Sequence, residues 1–134
     1  MVMPRGIRNN NPGNIDYNGT KWLGLAEPPT DGRFCRFTTP EHGIRAIVRV
    51  VRTYYTHHNL NTIRGIIDRW APPIENDTKA YVDHVASRCG VGADQVVDPT
   101  TLDILTPLVE TIIAHENGQQ PYDAETIRRG ILMA

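Results

Sequence analysis

Apolar residues recur at helical spacing over most of the chain. Around the segment Pro107–Gly118, Leu108, Ile112 and Ala114/His115 fall on one face, and Val109 and Ile113 widen the stripe. Thr106 fits an N-cap, Pro107 a first helical turn and Gly118 a stop, so the pattern predicts a short, mostly buried helix with Glu116 at its C-terminal end. A helix opens at Thr39, with Pro40 and Glu41 in its first turn, and runs to Tyr55. Its apolar stripe is Ile44, Ile47, Val48, Val51 and Tyr55, beside a basic row of Arg45, Arg49 and Arg52. That row reads either as a solvated face or as a partner for acidic residues elsewhere. Asn61/Thr62 cap a further helix through Arg69, and Asp77 caps one that stops at Gly90. Another covers about 99–105, and Asp123 caps a last one through Leu132.

The N-terminal quarter has a different pattern. Arg5-Gly-Ile-Arg-Asn-Asn-Asn-Pro-Gly-Asn-Ile15 reads as a turn, because Asn side chains compete for backbone hydrogen bonds and Pro-Gly breaks regular structure. Asn9, Asn10, Asn11 and Asn14 form either a structural turn or an amide-lined surface for a sugar. From Ile15 to Phe37 the chain reads as short strands, with Asn18-Gly19 and Asp31-Gly32 as hairpin signals and Pro28-Pro29 excluding a helix. Phe34 and Phe37 are expected in the core, while Trp22 either packs this lobe or offers a stacking face. The sum is one α+β, mostly α domain over residues 1–134, with a small β lobe near its N-terminus.

Charge is divided unevenly. Residues 1–70 hold ten Lys/Arg against five Asp/Glu, and residues 71–134 hold four against ten, leaving a net charge of −1. Nucleic-acid binders carry a stronger basic surplus, so no nucleic-acid partner is expected. Cys35 and Cys89 lack a metal or redox spacing, and free buried thiols are the default over a disulfide. With no run of 18 apolar residues, no membrane insertion is expected, and the first twelve residues are polar rather than a signal peptide. Synthesis in the cytoplasm is therefore expected, and action on a cell wall would need something else to carry the protein there.

Several chemistries are unsupported. There is no phosphate loop, and no two of the five histidines (42, 57, 58, 84, 115) flank a Glu at helical zinc-site spacing, so neither metal nor cofactor is expected. Ser87 is the single serine and lies mid-helix. What remains is carboxylate chemistry. At a helix C-terminus a carboxylate meets the negative end of the dipole, which favours the neutral acid that glycosidic cleavage uses to protonate its leaving group. Glu116 is the candidate general acid. Glu27, Asp31, Glu41, Glu75 and Asp77 are candidates for a second carboxylate, with Glu75 and Glu41 as reserve acids. If none is close, one carboxyl acts first as acid and then as base while the substrate supplies the attacking group.

Arg5–Ile15, Asp31–Phe34, Pro40–Ala46, Trp70–Pro73, Glu75–Thr78 and His115–Gly118 together resemble a family of phage and prophage virion proteins with a lysozyme-like domain. Asn10-Asn-Pro-Gly-Asn-Ile15, the aromatic strand Phe34–Phe37 and the Glu41 helix are similar to a segment of bacterial glucosaminidases. Asp77–Tyr81–Val85 is similar to a later helix of those enzymes whose Tyr belongs to the active site. The resemblance implies peptidoglycan as substrate and other virion or lysis proteins as further partners. It also implies a catalytic, substrate-orienting role for Tyr81 and substrate contacts from Asn10, Asn11, Asn14, Trp22 and Asp77. In those enzymes the catalytic Glu precedes the Asn-Asn motif, whereas Glu116 follows it, which implies circular permutation. The reading from a different class is a non-catalytic phage structural or glycan-binding module.

Overall fold

A computed structural model describes residues 3–73 and 77–134. Glu75, a candidate acid, lies outside the described residues. The fold is α+β and mostly α, with six helices and one two-stranded antiparallel sheet among the described residues. The chain divides into two compact units, Met1–Arg49 with Ile112–Ala134, and Val50–Thr111.

The first unit begins with α1 (Arg5–Arg8), followed by β1 (Leu25–Thr30) and β2 (Cys35–Phe37). The single turn of α1 corrects the expectation that the whole Arg5–Ile15 stretch is non-helical; irregular structure begins only at Asn9, where side-chain amides take over the backbone partners. β1 pairs with β2 through Leu25↔Phe37 and Thr30↔Cys35, with an irregularity between them. Asp31-Gly32 makes the reversal, as expected. Asp31 Oδ1 accepts from the N–H groups of Arg33 (3.1 Å) and Phe34 (2.9 Å), and Gly32 takes φ 108°. Pro28-Pro29 does exclude a helix, yet it sits inside β1, with a cis Glu27–Pro28 bond; proline is tolerated there because a two-stranded sheet consists only of edges. Asn18-Gly19 is a turn held by Asn18 Oδ1, not a link within the sheet. Residues 15–17 run beside β2 through an isolated Asp16↔Phe34 bridge.

Cys35, Phe37 and Ala46 form the core of this lobe, and Ile15, Trp22 and Leu25 pack against it. Phe34 departs from expectation. It is half-buried between two guanidinium groups, with Arg5 4.7 Å and Arg33 4.6 Å from its ring centroid.

The helix α2 (Pro40–His58) starts as expected, with Thr39 Oγ1 accepting from the His42 N–H at 3.2 Å. It runs three residues past Tyr55 and stops at Asn59, whose φ of 56° supplies a left-handed exit. In the first unit its Ile44, Ala46, Ile47 and Val48 are buried. Ile44 meets α6 (Ala124–Leu132) where Gly130 leaves room, since a β-carbon on Gly130 would lie 2.6 Å from Ile44 Cβ.

The second unit holds α3 (Ile63–Trp70) and α4 (Thr78–Cys89), which pack against each other. Thr62 caps α3 by accepting from Gly65, Asp77 caps α4 by accepting from Ala80, and Gly90 ends α4 at φ 71°. Their facing side chains Ile63, Ile66, Ile67, Val82 and Val85 are fully buried.

The largest correction concerns α5 (Leu102–Asn117). The expected helix over 99–105 and the expected helix from Pro107 are one continuous element with Pro107 inside it, so Thr106 is no cap. Pro107 withholds a hydrogen bond from the Asp103 carbonyl, an interior cost of about 3 kcal/mol. Leu105, Leu108, Val109, Ile112 and Ile113 are each at most 1% exposed. Burying each contributes roughly 1.5–3 kcal/mol, and their sum exceeds the proline penalty.

Candidate functional site

The Asn loop is a scaffold before it is a surface. Asn11 is fully buried; its Nδ2 donates to the carbonyls of Ile15 and Cys35, and its Oδ1 accepts from the Ile15 N–H, each at 3.0 Å. No part of that amide is left for a sugar, which corrects the expected substrate contact from Asn11. Asn10 is half-buried at φ 52° and donates to the Phe37 carbonyl at 3.2 Å. Asn9, another amide of the loop, is buried and donates to Asp31 Oδ2 at 2.9 Å.

Asn14 is different. It is half-buried at φ 50°, and its Nδ2 reaches Glu116, lying 3.3 Å from Oε1 and 3.4 Å from the backbone carbonyl. Glu116 occupies the penultimate position of α5 and is half-buried. The fold thus brings one Asn of the loop and the candidate acid together across 102 residues of sequence.

Asn117 secures this meeting. It is 7% exposed, and its Nδ2 donates to the carbonyls of Pro12 and Ile113, both at 2.9 Å. Its Oδ1 and that of Asn14 are buried without a hydrogen-bond partner among the described residues. Both crowd Gly6. A β-carbon there would lie 2.5 Å from Asn117 Oδ1 and 2.9 Å from Asn14 Oδ1 and the Asn11 carbonyl. A buried acceptor without a donor costs about 1–3 kcal/mol, and such costs concentrate at functional sites. Sequence reasoning missed both Asn117 and Gly6, although Asn-Gly after an apolar helix was a usable signal.

The other carboxylates have visible tasks. Asp31 binds the Arg5 guanidinium through Nε and through NH2 at 3.0 Å. That guanidinium, followed by Asn9 and the Phe34 and Arg33 N–H groups, holds its carboxyl well below the usual range. Glu41 pairs with Arg129 at 3.1 Å, a partner on the acidic-rich C-terminal half that the sequence did not reveal. Arg45 of the basic row donates to the Met133 carbonyl at 3.4 Å. Asp77 is exposed and serves as the α4 cap.

Trp22 packs against the lobe core while remaining half-exposed. Tyr81 is buried within the second unit at 4% exposure. Both thiols are free; burial pushes Cys35, fully covered, and Cys89, partly covered, up to about 11. Among the described residues no three His, Cys, Asp or Glu side chains group as a metal site.

A cavity of about 420 Å³ also lies in the first unit, lined by Thr39, Glu41, His42, Arg129, Leu132 and Met133. Its polar groups are already paired, Glu41 with Arg129 and Thr39 Oγ1 with His42 Nδ1 at 2.7 Å. The nearby Tyr122 hydroxyl is buried without a partner among the described residues, and burial followed by the Glu41 charge pushes its titration up.

These elements define an α-rich chain with a small β hairpin and an Asn-lined junction at the C-terminal end of α5. Over 129 residues, spanning 94% of this chain and 79% of the relative, the sequence is 42% identical to Protein P5 of Pseudoalteromonas phage PM2. The chain belongs to the family of that phage protein. No family model matches it. None of the helices described is long and apolar enough to cross a membrane.

Proposed function

We propose that this phage-family protein cleaves the glycan strand of peptidoglycan, with Glu116 as the general acid. The observation that carries the reading is the meeting of Glu116 with Asn14 at the C-terminal end of an apolar helix. The dipole end there disfavours a negative charge, and the acid is half-covered, as proton donation to a glycosidic oxygen requires. Asn14 holds the carboxyl, and Asn10 orients the sugar with Trp22.

Asp31 and Glu41 are engaged by arginines and Asp77 by a helix cap. That supports a single-carboxyl mechanism. Glu116 protonates the leaving oxygen, the substrate's own hydroxyl or N-acetyl group attacks the anomeric carbon, and the resulting carboxylate then takes up a proton as base. A lysozyme-like arrangement over the whole chain, circularly permuted, accompanies this reading. The docking of Asn117 on Pro12, which joins the end of α5 to the N-terminal loop, supports it.

The test is digestion of purified peptidoglycan by the protein and by Glu116→Gln, with released muropeptides identified by mass. Anhydro-ended products from the unsubstituted protein alone support a lytic transglycosylase, and reducing ends support a hydrolase. Membership in a phage protein family favours one other reading, a non-catalytic virion or glycan-binding module, which product from neither protein would support.

A further inference from the structure

We propose that the Asn14 side-chain amide is a two-position switch whose orientation follows the protonation state of Glu116. In the orientation observed, Nδ2 faces the Glu116 carboxylate, and Oδ1 is buried among oxygens. The space over Gly6 holds the Oδ1 atoms of Asn14 and Asn117 together with the Asn11 carbonyl, three acceptors around one point. Two of them, the amide oxygens, lack a donor among the described residues. This arrangement suits an ionised Glu116 and also serves its backbone carbonyl at 3.4 Å, but it leaves the two amide oxygens over Gly6 without a donor.

Half a turn of the Asn14 amide about Cβ–Cγ reverses the situation. Nδ2 then faces the oxygens over Gly6 and supplies the donor that the cluster lacks. Oδ1 then faces Glu116 Oε1, which it can approach only if that oxygen carries a proton to donate. The two buried acceptors therefore favour the rotated amide, and the rotated amide favours the carboxylic acid form. Glycine at position 6 is part of the device, since any β-carbon would occupy the space the amide turns toward.

The charged and titratable groups on the elements packed here are Arg5 and Arg8 on α1, Asp16 after the loop, Glu41, His42 and Arg45 in the first turns of α2, and Asp103, Glu110, His115 and Glu116 itself on α5. Arg5 is held by Asp31, and Asp16 pairs with Arg33 at 3.3 Å. The switch stands on this geometry alone. Its use, keeping a general acid charged with its proton until the glycosidic oxygen takes it, rests on the reading of Glu116 proposed above.

The test is the nuclear Overhauser contact between the Asn14 side-chain NH2 and the Gly6 α-protons in isotope-labelled protein. Glu116→Gln is isosteric and offers the amide a partner in either orientation, so the two orphaned acceptors over Gly6 outweigh the one long bond to the residue-116 backbone carbonyl. The contact is expected in that variant at every pH. In the unsubstituted protein it is expected to emerge as pH falls through the Glu116 titration, followed by its side-chain carboxyl carbon. A missing contact in Glu116→Gln overturns the switch, as does a contact in the unsubstituted protein that is the same at every pH. Peptidoglycan cleavage by Glu116→Gln at the unsubstituted rate would instead refute the acid role and leave the switch standing.

Discussion

Gly43, in the first turn of α2, lies directly against the backbone carbonyl of Asn10. A β-carbon at position 43 would stand 2.0 Å from that oxygen and 2.8 Å from Pro12 Cδ. The obstacle is backbone on a loop fixed by Asn11, so it does not move aside as a side chain would. Gly43→Ala is expected to destabilise the protein by about 3 kcal/mol, the upper part of the range for overpacking. Gly90→Ala provides the contrast, with open space and only a left-handed φ of 71° to oppose it. Its expected cost is about 1 kcal/mol. Urea unfolding of the two variants checks the ranking.

Asn11→Ala removes the acceptor of the Ile15 N–H and a donor to each of the Ile15 and Cys35 carbonyls in a fully buried setting, although the Ile15 carbonyl keeps the Cys35 N–H at 2.9 Å. The loss is expected to cost about 3 kcal/mol. Asn10→Ala gives up a single half-buried bond and is expected to cost about 1 kcal/mol. Chemical denaturation of the pair separates the scaffold residue from the surface residue.

The Asp31–Arg5 contact predicts a pH dependence with a definite sign. The folded carboxyl titrates far below its ordinary value, so its contribution is complete above the unfolded value near about 4. It is lost progressively as pH falls below that toward the depressed folded value. Asp31→Asn is therefore expected to lower the thermal midpoint at neutral pH, by an amount corresponding to about 1–2 kcal/mol for partly screened charge-assisted bonds. The gap to the unsubstituted protein should narrow below about pH 4. Thermal melts between acid and neutral pH measure both effects.

Both thiols titrate at about 11, so neither is a thiolate at neutral pH. Native protein is expected to resist alkylation at pH 7.5, with fully covered Cys35 slower than Cys89, and to label twice after denaturation. Mass spectrometry of the labelled protein counts the additions. Rapid native labelling of Cys35 would contradict its packing beside Phe37.

Much of this was legible because local chemistry and fold agree. Thr39, Thr62, Asp77 and Asp123 cap the helices their residue types announce, and Gly90 ends one. Pro107 misled because a local breaking rule competed with a long apolar stripe whose burial is a tertiary fact. At the candidate site the sequence pointed to Glu116 and to an unusual Asn loop, and the fold joins them through Asn14. Asn11 carries the same side chain three positions earlier, yet faces inward. Which amide of a run faces outward depends on the backbone path, and that path depends on Gly43, Cys35 and Asn117, far along the chain. The Glu41–Arg129 pair, 88 residues apart, had no local signature either.

The central claim is that Glu116 donates the proton that breaks a glycosidic bond. The most direct measurement is the initial rate of muropeptide release from purified peptidoglycan by the protein and by Glu116→Gln at equal concentration, with folding of both verified by circular dichroism. Loss of a general acid is expected to lower the rate by about 10²–10⁴-fold while the variant remains folded. Equal rates from the two proteins would contradict the account.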